Sequence, residues 1–222
     1  MRELQPGLWH WEARHPDWTP ENTEAWGPEV SSYAIDDGER LLLFDPLAVP
    51  SEVEVLAAGR ETAIVLTNPW HERETQSLSE RLSTPVFTPR PDSEEDLMRM
   101  FGLSREQAAG GSPDVVWLKA KDEFEGDWIS AGDRLPVGVE VLPGMLRNDV
   151  LLWVESRRAL VAGDTFIDRG QGLEVPADWL RPGMTLDGVL EALRHLLELP
   201  VELVLPAHGA PTDRAALERA LS

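Results

Sequence analysis

Hydrophobic residues in this chain fall into short runs, and the spacing within each run separates strands from helices. LQPGLWHW (4–11) predicts a first strand. VSSYAID (30–36) and RLLLFD (40–45) flank Asp37-Gly38, a dipeptide that supplies the positive φ of a tight turn, and so predict a hairpin. SEVEVLAAG (51–59) predicts a short helix with Ser51 as its N-cap and Gly59 near its end. AIVLT (63–67) is continuously apolar, as a strand covered on both faces must be. A polar helix is expected over 72–82 and a strand over 85–87.

The second half repeats the theme. Residues 92–101 and 104–109 predict short helices ended by Gly110-Gly111, and 114–119, 138–143, 149–155 and 159–164 predict strands. Ser156-Arg157-Arg158 makes the tight connection between the last two. From Thr185 to Leu199, the residues Leu186, Val189, Leu190, Leu193, Leu196 and Leu197 fall on one helical face. ELVLPAHG (202–209) is a strand running into a loop, and Thr212 is expected to cap a final helix. Strands interleaved with helices throughout predict an α/β or α+β fold.

The length of 222 residues suits one globular domain, taken here as residues 1–222. A chain of this size buries about 70% of its unfolded surface. With no cysteine, disulfides, thiolate metal sites and thiol nucleophiles are excluded. A transition-metal site would therefore draw on His10, His15, His71, His195 and His208 together with carboxylates. The net charge of −20 opposes binding to nucleic-acid backbones and anionic membrane surfaces. Scarce lysine, only Lys119 and Lys121, fits either a GC-rich coding bias or a salt-rich cytoplasm. Residues 1–18 lack the apolar core of a signal peptide, and no run approaches ~20 apolar residues. A cytoplasmic protein is expected. Neither a Gly-x-Ser-x-Gly elbow nor a glycine-rich phosphate loop occurs.

Several predicted strands end in a polar residue and a turn: Asp45-Pro46, Thr67-Asn68-Pro69, Pro143-Gly144, Gly163-Asp164-Thr165 and Pro206-Ala207-His208-Gly209. Polar groups at strand ends converge on one rim of a sheet, where sites form. In order and spacing these segments resemble the metallo-β-lactamase superfamily, especially its glyoxalase II-like hydrolases. SSYAIDDGERLLLFDPL is similar to the family's opening hairpin, VLPGMLRNDVLLWVESRRALVAGDTFI to its His-Thr-Pro-Gly-His segment and Ala-Gly-Asp strand, and LVLPAHGAP to its closing Pro-Gly-His-Gly. The resemblance implies a four-layer αββα sandwich.

The family's remaining motif, Thr-His-x-His-x-Asp-His, reads Thr67-Asn68-Pro69-Trp70-His71-Glu72-Arg73 in this chain. The family's chemistry uses two zinc ions about 3.5–4 Å apart. By the resemblance, the first ion would meet Asn68, Trp70 and Met145 where the family has histidines, leaving it only a share of Asp164. The second would meet Glu72, Arg73, the bridging Asp164 and His208. An arginine cannot ligate, so Arg73 is expected to stand in for the lost metal by binding Asp164 or Glu72. Asn68, Trp70, His71 and Met145 would then line the vestigial cleft, with Asp164, His208 and Arg73 as the groups that carry any chemistry.

Two functional readings follow. One is a protein without a metal cofactor that binds a small apolar or acidic ligand in the cleft. The other is a hydrolase of an ester or thioester using one divalent ion, zinc, iron or manganese, at Glu72, Asp164 and His208. A purely structural or homo-oligomeric role is a third, because fold does not fix function.

The remaining candidates have plainer expectations. His71 reads as a loop residue beside Trp70, unless a one-residue bulge brings it, with Glu74, to a ligand position. His208 is either a ligand or a hydrogen-bond partner of Asp164. His195 falls on the polar side of its helix near Glu191 and Glu198, and His10 and His15 read as packing residues around Trp11. Trp9, Trp11, Trp18 and Trp26 are expected to pin the N-terminal segment onto the sandwich or, with Trp70, to line the cleft. The runs Asp92–Asp96 and 122–127 read as solvated loops or helix starts.

Overall fold

Strand pairing sorts the chain into two sheets. In the computed structural model, which describes residues 1–16, 18–21, 26–107 and 126–222, the first sheet is built in chain order. It contains β1 (Arg2–Gln5), β2 (Leu8–Arg14), β3 (Glu29–Asp36), β4 (Arg40–Phe44), β5 (Glu61–Val65), β6 (Val86–Pro89) and β7 (Asp127–Ile129). Strands β1 to β4 pair antiparallel, and β4 to β7 parallel. The parallel connections run through α1 (Ser51–Ala57) and α2 (Thr75–Leu82), with α3 (Glu94–Phe101) following β6.

The second sheet comprises β8 (Arg134–Leu135), β9 (Val139–Pro143), β10 (Val150–Val154), β11 (Ala159–Gly163), β14 (Leu203–Pro206) and β15 (Thr212–Asp213), ordered β15-β14-β11-β10-β9-β8. A separate small hairpin joins β12 (Ile167–Asp168) to β13 (Leu173–Glu174). Helices α4 (Leu186–Leu193) and α5 (Arg214–Ala220) complete the second half. No helix among the described residues is long and apolar enough to cross a membrane.

The strict period of two explains the layering. In β4, Leu42 and Phe44 face inward and meet Val141, Leu152, Val161 and Leu205 of the other sheet. Leu41 and Leu43 face outward and meet Val53 of α1 and Leu78 of α2. On the far side, Leu151, Trp153, Leu160 and Val204 meet Val189 and Leu193 of α4 and Leu217 of α5. Strands buried on both faces need continuous apolar runs. The result is the expected four-layer αββα sandwich.

Local differences from expectation have local causes. Gly7, at φ +74°, turns the chain after Gln5, so the first predicted strand is two paired strands. Pro50 is the N-cap of α1, and Ser51 is its first helical residue. The Pro69–Glu72 turn delays α2 until Thr75. The 185–199 helix is α-helical only to Leu193 and continues as a 3-10 helix over Arg194–Glu198; Leu186 on its first turn is exposed. Asp213, not Thr212, caps α5 through the backbone N–H of Ala216. Asp92 is buried rather than solvated, whereas Asp96 closes a capping box with Ser93 at the start of α3. The strand expected over 114–119 and the glycine pair before it lie outside the described residues.

The two sheets are tied together along one rim. The backbone N–H of Val150 donates to Thr67 O at 2.8 Å, and that of Ser31 to Ala207 O at 2.8 Å. Gly163 adopts φ +51°, and a Cβ there would collide with the Thr67 side chain. Gly163→Ala should therefore destabilise the fold by about 1–3 kcal/mol, as measured by denaturant unfolding. An unchanged midpoint would contradict this packing.

Candidate functional site

The polar ends of β4, β5, β11 and β14 meet at that rim. Asp45 follows β4 in the left-handed region, at φ +45°. Its Oδ1 accepts from the Thr67 backbone N–H at 2.8 Å and its Oδ2 from the Thr67 hydroxyl at 2.7 Å. After Thr67 the chain enters the 3-10 turn Pro69–Glu72, capped by Asn68, whose Oδ1 accepts from the backbone N–H groups of Trp70 and His71. The capped turn brings His71 inward, where it is 4% exposed.

His71 lies between two carboxylates from different sheets. Its Nδ1 is 3.1 Å from Asp45 Oδ2, and its Nε2 is 3.2 Å from Asp164 Oδ1. Asn68 Nδ2 donates to Asp164 Oδ2 at 2.9 Å, and His208 Nε2 is 3.5 Å from Asp164 Oδ1. Arg73 Nη1 donates to the Asp45 backbone carbonyl at 2.7 Å. This contact holds Arg73 at φ +44°, ψ −117°, a strained backbone for a non-glycine residue.

The charges are strongly coupled. Burial works against an imidazolium at His71, but Asp164 and Asp45 outweigh it and push the pKa up to about 9. Burial likewise opposes ionisation of Asp164 and Asp45, and His71 overcomes it in both, holding them below the usual carboxylate range. His208 is held down to about 4, chiefly by burial, with His71 and Arg73 adding to it against the pull of Asp164. Asp149, at the start of β10, is pushed up to about 7 by burial and by Asp164. Its carboxylate oxygens find no hydrogen-bond partner among the described residues.

The expected site residues separate into two groups. Asp164, His208, Asn68 and His71 come together, and His71 does so as a central residue rather than as a loop residue. Arg73 also reaches the site, but its hydrogen bond goes to the Asp45 carbonyl, not to Asp164 or Glu72. Glu72 lies outside the cluster of ligand atoms formed by His71, Asp164 and His208. Glu74 accepts from the Ala48 backbone N–H instead. Met145 is buried in the core between the second sheet and its helices, and Trp70 packs with Met100 and Leu103 beneath the Arg181 guanidinium.

Around the rim, His208 lies 5.0 Å from Trp26 and 5.8 Å from Trp179, between ring centroids. Trp11 pins the N-terminal segment by donating to Leu47 O, while His10 is buried against Ser31. His195 bonds Ala192 O on its own helix. Sequence reasoning missed the roles of Thr67 and Asp149 and the ion-paired group Asp92–Arg147–Asn148–Arg181, in which Asp92 and Asn148 are buried and Arg147 is exposed. In that group Arg181 and Arg147 both pair with Asp92, at 2.6 and 2.5 Å. Asp149 did carry a signal, as a lone carboxylate opening the apolar run VLLWV.

As a donor set, His71 Nε2, Asp164 Oδ1 and His208 Nε2 fit one divalent ion, since all lie within 4.8 Å of one another. The N–O spacings of 3.2 and 3.5 Å bracket the edge of a tetrahedron with metal–ligand bonds of about 2.1 Å.

The two-sheet sandwich with its site at the strand ends defines a metallo-hydrolase-like fold. The metallo-beta-lactamase superfamily model matches residues 75–208, more than half of the chain, and the chain belongs to that superfamily. Among solved structures, TTHA1429, a metallo-beta-lactamase family protein from Thermus thermophilus, superposes with a TM-score of 0.64 at 18% identity, over 98% of this chain and 78% of that one. TTHA1623, in a di-iron-bound form, gives 0.58 at 27% identity over 87% and 95%. FIM-1 from Pseudomonas aeruginosa, in a mono-zinc form, gives 0.62 at 12% identity over 99% and 91%. No curated protein sequence matches the chain.

Two pH dependences follow. His71 has a folded pKa of about 9 against an ordinary 6.5, so its stabilisation is full below about pH 6.5 and is lost as pH rises through 9. The thermal midpoint should fall between about pH 7 and 10, and His71→Gln should start lower at pH 7 and flatten that slope. Asp149 is also raised, from 3.8 to about 7, so its ionised form costs stability above pH 7. Asp149→Asn should raise the midpoint at about pH 8 and leave it nearly unchanged at about pH 4. Parallel curves for variant and parent would refute either assignment.

Proposed function

We propose that this chain, read as one domain over residues 1–222, is a cytoplasmic, glyoxalase II-like superfamily member that has lost the dinuclear zinc site and binds a small molecule in the remaining cleft. The observation that carries this reading is the placement of His71, with its two ring nitrogens against Asp45 and Asp164. A protonated imidazole there neutralises carboxylates that would otherwise need a metal, since an unpaired buried carboxylate costs several kcal/mol. The residues at the other family ligand positions support it. Asn68 uses its amide to bond Asp164, Arg73 bonds a backbone carbonyl, and Met145 and Trp70 are packed among apolar neighbours.

On this reading the working parts are Asp164, His208 and Arg73. Arg73 adds positive charge beside Asp45 and Asp164, Asn68 fixes the orientation of Asp164, and His208 presents a largely neutral imidazole to the cleft at pH 7.

A second reading, one divalent ion held by His71, Asp164 and His208, is favoured by the spacing of their ligand atoms. Such an ion would supply Lewis-acid polarisation of an ester or thioester carbonyl. The protein's own part would be to orient His71 through Asp45, as a carboxylate behind a ligating histidine does.

Metal analysis of protein purified without chelator decides between them. The metal-free reading expects well below one equivalent of zinc, iron or manganese and an unchanged melting temperature in EDTA. About one equivalent, lost in both His71→Ala and Asp164→Ala, would overturn it in favour of the single-ion site.

A further inference from the structure

Each backbone carbonyl from Pro206 to Gly209 accepts a hydrogen bond. Tyr33 Oη donates to Pro206 O and the Ser31 N–H to Ala207 O, both at 2.8 Å. The Asp168 N–H donates to His208 O and the Ser31 hydroxyl to Gly209 O, again at 2.8 Å. With the Ser31 proton spent on Gly209, His10 Nε2 donates to Ser31 Oγ at 3.0 Å. Gly209, at φ +109°, approaches Asp168 so closely that a Cβ would collide with that side chain. A shift of this loop would break all four bonds together, each with a buried partner to leave unmatched. A route to the His208 imidazole therefore has to come from movement of what covers it.

The imidazole is 8% exposed and meets two indole rings, Trp26 and Trp179. The two are held differently. Trp26 meets the His15 ring edge-on at 5.2 Å, and its carbonyl accepts from Trp18 Nε1 at 3.0 Å. Trp179 ends a 3-10 turn, Ala177–Trp179, and packs against the second core. Its N–H donates to Pro176 O at 3.0 Å and that of Leu180 to Ala177 O at 3.4 Å, both within the turn. The Arg169 guanidinium lies over its ring, 5.4 Å from the centroid.

Arg169 is carried by the β12–β13 hairpin, whose turn is fixed by Asp168 Oδ1 accepting from the N–H groups of Gly170 and Gly172. Its Nη2 donates to both carboxylate oxygens of Asp178 at 2.9 Å, and its Nη1 lies 3.7 Å from Glu174 Oε1. The buried Nε has no hydrogen-bond partner among the described residues, so the ionic hold is all at Nη. Asp178 and Glu174 are half exposed. Ion pairs of that exposure are weak and are screened by salt. One of the two covers over His208 is thus fastened by a contact that salt loosens.

We infer that the Ala177–Trp179 turn is a gate over His208, fastened by the Arg169–Asp178 ion pair and opened by a swing of Trp179 away from the imidazole. The inference rests on the metal-free, small-molecule reading above for what passes the gate. A ligand that meets His208 has to displace Trp26 or Trp179, and of the two the Trp179 turn is the one fastened directly by an ion pair. The neighbouring chain confines the movement to this turn. Val175 and Pro176 are buried on one side of it, and on the other Arg181 is paired with buried Asp92 at 2.6 Å. Access to His208 then follows ionic strength, because salt weakens the pair that keeps the gate shut.

The test is carbethoxylation of the purified full chain by diethyl pyrocarbonate at about pH 7 in EDTA, each histidine being followed by peptide mass spectrometry. The reagent takes neutral imidazoles, and His208, held down to about 4, is neutral there. Part-exposed His195 sets the rate of an open site, and buried His10 reports general unfolding. While the gate opens and closes faster than the reagent reacts, the labelling rate follows the open fraction. His208 should label at least about tenfold more slowly than His195 at about 0.01 M salt, and about threefold faster at about 1 M. Arg169→Gln should speed His208 about three- to tenfold at low salt and remove most of the salt dependence. Asp178→Asn alters only a half-exposed side chain and should do the same, which covers failure of the arginine variant to fold. Trp179→Ala should give the largest increase. Salt-independent labelling of His208, an unchanged rate in a folded variant of the pair, or an increase only in step with His10 would overturn the gate. Repeating the labelling without EDTA separates the two levels. Salt-independent labelling in EDTA defeats this inference alone, whereas protection of His208 that EDTA removes reveals a bound ion and defeats the metal-free reading beneath it.

Discussion

Everything at the rim depends on one buried imidazole between two carboxylates. Asp45 comes from the end of a strand in the first sheet and Asp164 from the end of a strand in the second, and His71 touches both. Two like charges brought this close by the sandwich would repel one another in a medium that screens poorly. The charge on His71 turns that repulsion into a link across the sheets. Thr67 fixes the Asp45 carboxylate from one side, and Asn68 fixes Asp164 from the other. The strained backbone at Asp45 and Arg73 is held by the same contacts.

Much of the fold was legible because the strands are buried on both faces. Leu41, Leu42, Leu43 and Phe44 form an unbroken apolar run, and the structure sends alternate members to two different cores. Boundaries were less legible where a single residue overrides the pattern. Gly7 splits one apolar segment into two strands, and Pro69 starts a 3-10 turn that uses up residues otherwise suited to a helix.

The site was partly legible for a different reason. Asp164 and His208 follow strands, so their position could be read from strand ends. His71 could not, because its place depends on the geometry of a capped 3-10 turn and not on periodicity. Counting along the motif from Thr67 puts His71 between ligand positions, but the turn brings it to the centre. Asp149 and Asp92 were misjudged or passed over because charge in a sequence suggests solvent exposure. Only the folded chain shows that both are enclosed.

The hydrogen bond from Asn68 to Asp164 joins residues 96 apart in the chain, and it has a kinetic corollary. Neither half of the molecule contains the whole site: Asp45, Thr67, Asn68 and His71 come from the first, and Asp164 and His208 from the second. A contact of such separation is made only once the loop-closure cost of bringing distant segments together has been met. The polar cluster is therefore also a record of assembly. Its completion marks the docking of one sheet on the other, and any ligand that bridges its residues would act as a brake on their separation.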